Sequence, residues 1–417
     1  MVTGIICYVL GSLILIAGCV LGFVVFPNLI QKTVAENVLL KEGSQSWDLW
    51  KKLPIPLRFE VYFFNVSNVK DINNGQMPLV QEIGPYVYQE YREKVDIVTN
   101  EKNGTAAYYQ KTNFVFDPEA SGGLKETDKI TILNVAIMKN NTFDGRYEVK
   151  LGWSENGPTP TVEGVRQLGE IVRWQNSSTL STWSGEKCNK ITGTDATIFH
   201  PYLTKDSRID IFSTDLCRSL TALYDSDSSY KGIDSLKFTA HERLLADVNK
   251  NPDNYCYCPT DNACMLRGAL DLTPCQGAPA VITFPHFYMA DEKYLTMVSG
   301  LKPVKEKHET FLEIEPNTGV PLNGGKRVQF NMMLKKIKDI NIIKNAPSAL
   351  FPVAWINEGV ELDDANVNKL KDQLVNNLKI VAGVQWTLIG IGIALILAGT
   401  CFIILAKVKF SKKGFSL

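Results

Sequence analysis

Two long apolar segments lie near the ends of the 417-residue chain, and a more polar stretch separates them. Gly4 to Phe26 and Ile380 to Ala406 contain no charged residue. Each segment exceeds the roughly 20 residues that a helix needs to cross a bilayer. The stretch between them is long enough to bury a substantial core. This pattern predicts transmembrane helices at 4–26 and 380–406 on either side of one large domain, 27–379.

The first apolar segment could also be a cleaved signal peptide or a lipoprotein signal. Signal peptides have an apolar region of about 7–15 residues behind a basic start. Here the segment is longer, and only the uncharged residues 1–3 precede it. Ile16 to Cys19 resembles a bacterial lipobox, but the basic start is missing there too. A retained span is therefore favoured.

The orientation is predicted by four lysines that follow the second span, at 407, 409, 412 and 413. Positively charged residues beside a span favour the cytosolic side. Two spans then place both the N-terminus, 1–3, and the tail, 407–417, in the cytosol, with the large domain outside. Residues 410–417 contain no acidic dileucine sorting signal, so the plasma membrane is expected rather than the lysosome.

Most of the large domain has the pattern of β-strands. Runs rich in aromatic and β-branched residues predict strands at 60–66, 84–88, 280–284, 327–334 and 353–356. Within 327–334 the alternation places Val328, Phe330, Met332 and Leu334 on one face. Helices are predicted at 29–43 and along the apolar stripe that leads into the second span. The fold class is therefore α+β, with a β-rich core and short helices.

Six cysteines lie between the spans, at Cys188, Cys217, Cys256, Cys258, Cys264 and Cys275. An even number at irregular spacing outside the cytosol predicts three disulfides. A zinc site is the alternative, but zinc sites commonly use C-x2-4-C pairs or histidines. The close pair here is C-x-C with no histidine beside it. The sequence pattern by itself leaves the connectivity open.

Other candidate modification and contact sites agree with this topology. Sequons for N-glycosylation begin at Asn65, Asn103, Asn140 and Asn176, all in the predicted outer domain. Cys7 is a candidate for S-palmitoylation, with an inert buried thiol as the alternative. Gly18 and Gly22 form a G-x-x-x-G motif, through which the spans could pair or a homo-oligomer could form.

Composition and motifs give no support for an enzyme or a nucleic-acid-binding protein. Lysine plus arginine and aspartate plus glutamate both number 44, so the formal net charge is zero. Gly152 to Gly157 lacks the second glycine of a nucleophile elbow. Gly319 to Arg327 has the wrong glycine spacing for a phosphate loop. The four histidines are scattered along the sequence. No catalytic, metal or cofactor residue is predicted.

Several motifs, in order along nearly the whole chain, resemble the CD36 family of class B scavenger receptors. They are Gln31–Thr33, Gly84–Tyr88, Ser213–Ser219, Asn251–Cys258, Pro285–Phe287 and Glu313–Gly319. The resemblance implies disulfides Cys188–Cys256, Cys217–Cys275 and Cys258–Cys264. It also implies an antiparallel β-barrel-like core, with a lipophilic tunnel leading toward the membrane.

The resemblance implies a cell-surface receptor and lipid transporter whose partners are lipids and lipoprotein particles. The cargo would be a fatty acid, sterol or carotenoid, and the alternative is a recognition receptor for apoptotic cells or microbes. In one place the sequence departs from the family. Several dozen residues, which form an apical helical bundle in relatives, are missing after Met138. No ligand-capture residue can therefore be transferred to this chain.

Overall fold

The computed structural model describes residues 2–133, 143–154, 157–258, 264–336 and 345–413, which belong to two units. The first unit contains the chain up to Glu36 and the chain from Asp363 onward. The second unit contains residues 37–362. The segment after Met138, including Asn140, lies outside the described residues.

Helices form the first unit. At the N-terminal side, α1 (Val2–Val20), a π-helical turn (Leu21–Val25) and α2 (Phe26–Val38) are continuous. At the other side are α10 (Asp364–Leu370), a π-helical turn (Lys371–Val375) and α11 (Asn376–Lys413). Both helices are long and apolar enough to cross a membrane. The helix predicted at 29–43 ends earlier, because Leu40 leaves it and becomes fully buried in the second unit.

An antiparallel sheet of thirteen strands dominates the second unit. Its order is β7-β4-β3-β2-β1-β15-β14-β13-β10-β9-β8, with β12 also pairing β14 and β11 pairing β12. The strands are β1 (Leu57–Val66), β2 (Val80–Asn100), β3 (Thr105–Phe116), β4 (Phe143–Lys150), β7 (Ile171–Trp174), β8 (Arg208–Ser213), β9 (Arg218–Tyr230), β10 (Ile233–Ala240), β11 (Ala269–Asp271), β12 (Val281–Thr283), β13 (Phe311–Ile314), β14 (Pro321–Leu334) and β15 (Ala349–Glu361). A separate hairpin consists of β5 (Trp153–Ser154) and β6 (Gly157–Pro160).

Short helices occupy several of the connections. They are α3 (Gln45–Lys51), α4 (Val69–Ile72), α5 (Val162–Val165), α6 (Glu186–Asn189), α7 (Thr273–Gln276), α8 (Glu292–Leu295) and α9 (Lys305–His308). Three 3-10 helices cover Glu242–Leu245, Pro252–Tyr257 and Pro285–Phe287. The α+β class and the β-rich core are thus confirmed.

Two residues of a loop join the ends of the sheet and nearly close it into a barrel. The carbonyl of Gly193 accepts from the N–H of Ile171 on β7 at 2.8 Å. The N–H of Thr194 donates to Asp210 on β8 at 3.0 Å, and its carbonyl accepts from Phe212 at 2.9 Å. Because these bonds satisfy backbone groups at both end strands, neither end is left as an open edge here.

The strand predicted at 327–334 is present within β14, and its apolar side chains pack into two clusters. A register shift lies at Phe330 and Asn331, where the extra residue is Val353 of β15. Val328 and Phe330 pack with the cluster around the disulfides. Met332 and Leu334 pack with the separate cluster that contains Phe64 and Trp355.

Candidate functional site

Three disulfides cross-link the part of the second unit between Cys188 and Cys275. They join Cys188 to Cys256, Cys217 to Cys275, and Cys258 to Cys264. These are the pairs that the family resemblance implies. The first two cross-link segments 68 and 58 residues apart in sequence. Closing long loops in this way stabilises a fold mainly by restricting the unfolded chain.

The candidate glycosylation sites differ in their surroundings. Asn103 is exposed in the turn between β2 and β3, and Asn176 is exposed in the turn after β7. Asn65 lies within β1 and is half-buried, and its Oδ1 accepts from the N–H of Thr131 at 2.9 Å. An oligosaccharide has more room at the two turns than on the strand. Asn140 is outside the described residues.

Glycines bring the two terminal helices into close contact. Gly4, Gly11 and Gly18 are buried in α1, seven residues apart. A Cβ atom added to Gly18 would lie 3.1 Å from Cβ of Leu388, and one added to Gly22 would lie 2.2 Å from the Gln385 side chain. Both residues of the G-x-x-x-G motif therefore face the second span of the same chain. Cys7 is half-buried in α1.

A row of charged side chains is buried on one face of the sheet. Nε of Arg92 on β2 donates to Oε1 of Glu90 at 2.6 Å, and its NH2 group contacts Glu358 on β15. Nζ of Lys326 on β14 donates to Oε2 of Glu358 at 3.0 Å. Burial and the negative charge of Glu358 raise the pKa of Glu90 to about 7. Burial opposes ionisation of Glu358, but the two cations lower its pKa to about 2.

The row continues with Lys94, whose side chain is almost completely buried. Its Nζ lies 3.2 Å from Oδ2 of Asp195 and donates to Oγ1 of Thr197 at 2.8 Å. The hydroxyl of Tyr108 donates to Asp195 at 2.6 Å. Burial lowers the pKa of Lys94. Burial alone would raise the pKa of Asp195, but the charge of Lys94 and the hydrogen bonds that Asp195 accepts lower it. This pair anchors the closing loop to β2.

Two histidines that are distant in sequence stack on the opposite face. The rings of His286 and His308 are 4.4 Å apart and nearly parallel. Nε2 of His286 lies 2.6 Å from Oε2 of Glu82, which also accepts from Nε1 of Trp355 at 2.6 Å. Nδ1 of His286 accepts from the N–H of Lys302 at 3.0 Å. Because Nδ1 is an acceptor, Nε2 carries the proton and donates to Glu82.

These contacts occupy both ring nitrogens of His286, so the cluster is built as a brace between segments rather than as a base beside a nucleophile. Burial, and to a smaller extent the charge of the adjacent His286, lowers the pKa of His308 to about 4. Burial opposes ionisation of Glu82, but its hydrogen bonds from His286 and Trp355 lower the pKa of its carboxyl.

The near-matches to catalytic motifs lie in structures that those motifs do not use. Ser154 is on the β5–β6 hairpin rather than on a strand-to-helix elbow. Gly319 ends a turn in which Glu315 accepts from Asn317 and Thr318, and β14 follows it instead of a helix. Within the described ranges, no group of three or more His, Cys, Asp or Glu residues is arranged to hold a metal ion.

Two surface cavities of the second unit are bordered mostly by charged and polar residues. One, of about 260 Å³, is bordered by His241, Glu242, Arg243, Ala246, Lys250 and Arg267. The other, of about 330 Å³, lies beside Lys51, Glu93 and Lys94. The lining of the second cavity is mostly polar, unlike that of a lipid passage.

A sequence model of the CD36 family matches residues 9–155 and 138–403. The two matches overlap at residues 138–155, beside Met138, after which residues are predicted to be missing. Sensory neuron membrane protein 2 of Manduca sexta is 35% identical over 450 residues, covering 87% of this chain and 86% of that protein.

Two further relatives cover similar shares. Sensory neuron membrane protein 1 of Apis mellifera is 30% identical over 470 residues, covering 94% of this chain and 88% of that protein. Lysosome membrane protein 2 of Rattus norvegicus is 30% identical over 424 residues, covering 88% of each. These alignments are longer than the 417 residues of this chain, so the relatives have internal residues that this chain lacks.

Proposed function

This chain belongs to the CD36 family, and from that premise we propose that it is a membrane receptor that binds lipophilic ligands and passes them into the bilayer. The observation that carries the proposal is a disulfide-bonded, nearly closed barrel encoded between two helices able to cross a membrane. An enclosed apolar route would spare the cargo from water, which disfavours each exposed CH2 by about 0.8 kcal/mol. No bond needs to form or break.

The proposed topology places the barrel unit outside the cell and both chain ends in the cytosol. The transmembrane segments are 4–26 and 380–406. Oligosaccharides are proposed at Asn103 and Asn176, and a fatty acyl group at Cys7. The plasma membrane is the proposed location, although the named relatives include both neuronal and lysosomal membrane proteins. Self-association through Gly18 and Gly22 would require the two spans to separate.

A recognition receptor without lipid transfer is the second candidate function. It is favoured by the mostly polar lining of the cavity beside Lys51, Glu93 and Lys94, which suits binding of a polar surface better than passage of an acyl chain. The internal residues that the relatives have and this chain lacks leave the nearly closed sheet in place, which both functions require.

Identification of copurifying lipid tests the proposal. The full chain is extracted in dodecyl maltoside, and its bound lipids are measured by mass spectrometry beside those of an unrelated two-span protein. We expect one lipophilic class to be enriched near equimolar amounts in this protein alone. The same lipid profile in both preparations, with the protein folded, would contradict the proposed binding of lipophilic ligands.

A further inference from the structure

A buried guanidinium lies at the start of β9, and none of the described carboxylates pairs with it. Arg218 is 5% exposed, and its Cζ lies 3.8 Å from the centre of the Tyr257 ring. Its Nε is a buried donor that no acceptor satisfies. In the part of the chain that the structure describes, no hydrogen bond or ion pair reaches this guanidinium.

Burial without a counter-ion is unfavourable for this side chain. A guanidinium stays charged and offers five N–H donors, so removing it from water costs more free energy than one aromatic stack returns. Each of the other cations described above has a carboxylate partner. Arg92 has Glu90, Lys94 has Asp195 and Lys326 has Glu358. Among the described residues, no negative charge offsets the cost of burying Arg218.

A second unsatisfied donor lies directly across the hairpin. Ser213 on β8 is the register partner of Arg218, so both side chains project from the same face. Ser213 is 6% exposed, and its Oγ has no hydrogen-bond partner. Two donors at paired positions on one face, one of them cationic, have the chemistry to bind oxygen acceptors.

The disulfides hold the aromatic wall of this site in place. Cys217 immediately precedes Arg218 and is bonded to Cys275. Cys256 and Cys258 flank Tyr257, and each is bonded to another cysteine. The ring of Trp183 meets that of Tyr257 edge to face at 5.0 Å, and its Nε1 donates to the carbonyl of Cys217 at 2.6 Å. The site is therefore rigid, which favours ligand binding because little must be ordered.

We propose that Arg218 and Ser213 bind the carboxylate group of a ligand, with the rings of Tyr257 and Trp183 beside it. A carboxylate carries one negative charge, which a single guanidinium balances. A phosphate would call for a second cation, and none pairs with Arg218. A lipophilic acid or a small organic acid would present the same carboxylate. The inference deepens the proposed function and rests on it only for the lipophilic part of the ligand.

Binding of radiolabelled oleate and oleyl alcohol to the full chain in dodecyl maltoside tests the site. The two probes share an apolar chain, but only oleate carries the carboxylate. Arg218→Gln should weaken oleate binding at least tenfold and leave oleyl alcohol binding unchanged. Arg208→Gln is the matched control, since Arg208 is an exposed arginine of the same hairpin whose ion pair is with Asp210. It should change neither affinity.

Ser213→Ala provides a milder second variant, expected to weaken oleate binding about threefold or more. Folding of each variant is checked by recovery of the Cys217–Cys275 peptide without reduction. Equal loss of both probes, or no loss of oleate binding in either folded variant, would overturn the site. If Arg218→Gln does not fold, Ser213→Ala alone decides.

Acetate separates the two sources of the carboxylate. Displacement of oleate by millimolar acetate supports the site with a small organic acid as its ligand, and its failure supports a lipophilic acid. If the wild-type chain binds neither lipid, the proposed function fails. Acetate binding, measured by calorimetry, then tests the carboxylate site independently of that function. Acetate binding that is lost in Arg218→Gln would then support the site, and no acetate binding would overturn it.

Discussion

A Cβ atom added to Gly11 of α1 would lie 2.8 Å from the carbonyl oxygen of Gly392 in α11. The two backbones therefore touch, and no larger residue fits between them. Without an apolar driving force in lipid, helices associate through such close packing of small residues. The pairing of the two spans depends on this contact.

Replacing Gly11 with leucine should separate the two spans. Cysteines introduced at Gly4 and Ile403 report their pairing, since a Cβ at Gly4 would lie 2.9 Å from Cγ1 of Ile403. In a chain whose three free cysteines are changed to alanine, oxidation should cross-link this pair. We expect Gly11→Leu to reduce the cross-linked fraction severalfold, as measured by mobility after protease cleavage of the outer domain.

Gly390→Leu is the control for that experiment, because a Cβ at Gly390 meets no atom within 4 Å. It should cross-link as the parent does. Equal cross-linking in Gly11→Leu would show that the spans do not rely on this contact.

Gly193→Ala should prevent closure of the sheet. Gly193 has φ of 87°, and a Cβ there would lie 2.0 Å from the carbonyl oxygen of Asp210, which accepts from Thr194. The clash forces the closing loop away from β8. We expect little or no monodisperse protein in size-exclusion chromatography of detergent extracts.

Gly123→Ala separates this clash from backbone strain. Gly123 has a similar φ of 95° and open space around it, so its replacement costs only the roughly 1–2 kcal/mol of a left-handed residue. Its yield should stay near that of the wild type. A normal yield of Gly193→Ala would mean that the loop can close the sheet in another way.

His308 should make the folded chain less stable as the pH falls. It is 3% exposed, and its pKa is lowered to about 4, whereas an unfolded histidine titrates near 6.5. Between these values the unfolded state binds a proton that the folded state does not, so stability is lost as the pH falls through this window. Arg327 and Lys307 also disfavour the charged ring, and Glu82 opposes them.

Denaturant midpoints at pH 7 and pH 4.5 measure this effect. The wild-type midpoint should fall more between these values than the His308→Gln midpoint does. His241→Gln, a change at an exposed histidine, should behave as the wild type. An equal fall in the wild type and His308→Gln would exclude the proposed proton linkage.

Glycosylation should occur at the two exposed turns. Asn103→Gln and Asn176→Gln should each increase the gel mobility of protein from mammalian cells, and enzymatic removal of oligosaccharides should abolish the difference. Asn65→Gln should cause little shift, since its Oδ1 is bonded to Thr131 within a strand pairing. A shift at Asn65 alone would contradict this assignment.

The terminal helices and several strands could be predicted because their apolar residues follow the period of the element that they form. The burial of side chains in the middle of β2 could not be predicted. Alternation there suggests that Tyr91 and Val95 face inward and that Glu90, Arg92 and Lys94 face water. The structure instead leaves Tyr91 46% exposed and buries Glu90 and Lys94. Arg92 and Lys94 pair with Glu358 and Asp195, which are more than 100 residues away, so the local sequence does not reveal these pairings.

The candidate sites show the same division. The cysteine count indicated disulfides, but the unpartnered donors of Arg218 and Ser213 become visible only when the register of β8 and β9 is known. The histidines are scattered along the sequence, whereas the fold stacks His286 on His308. The motif Pro285–Phe287 could have indicated a structural role for His286, since it places this histidine beside a proline that ends a strand.

Uptake of a labelled lipid by cells that express the full chain is the most direct test of the central claim, that this protein passes lipophilic cargo into the membrane. Surface expression is quantified in the same cells, and mock-transfected cells set the background. We expect uptake well above that background, rising with the amount of protein at the surface. Uptake equal to that of mock cells, at confirmed surface expression, would contradict it.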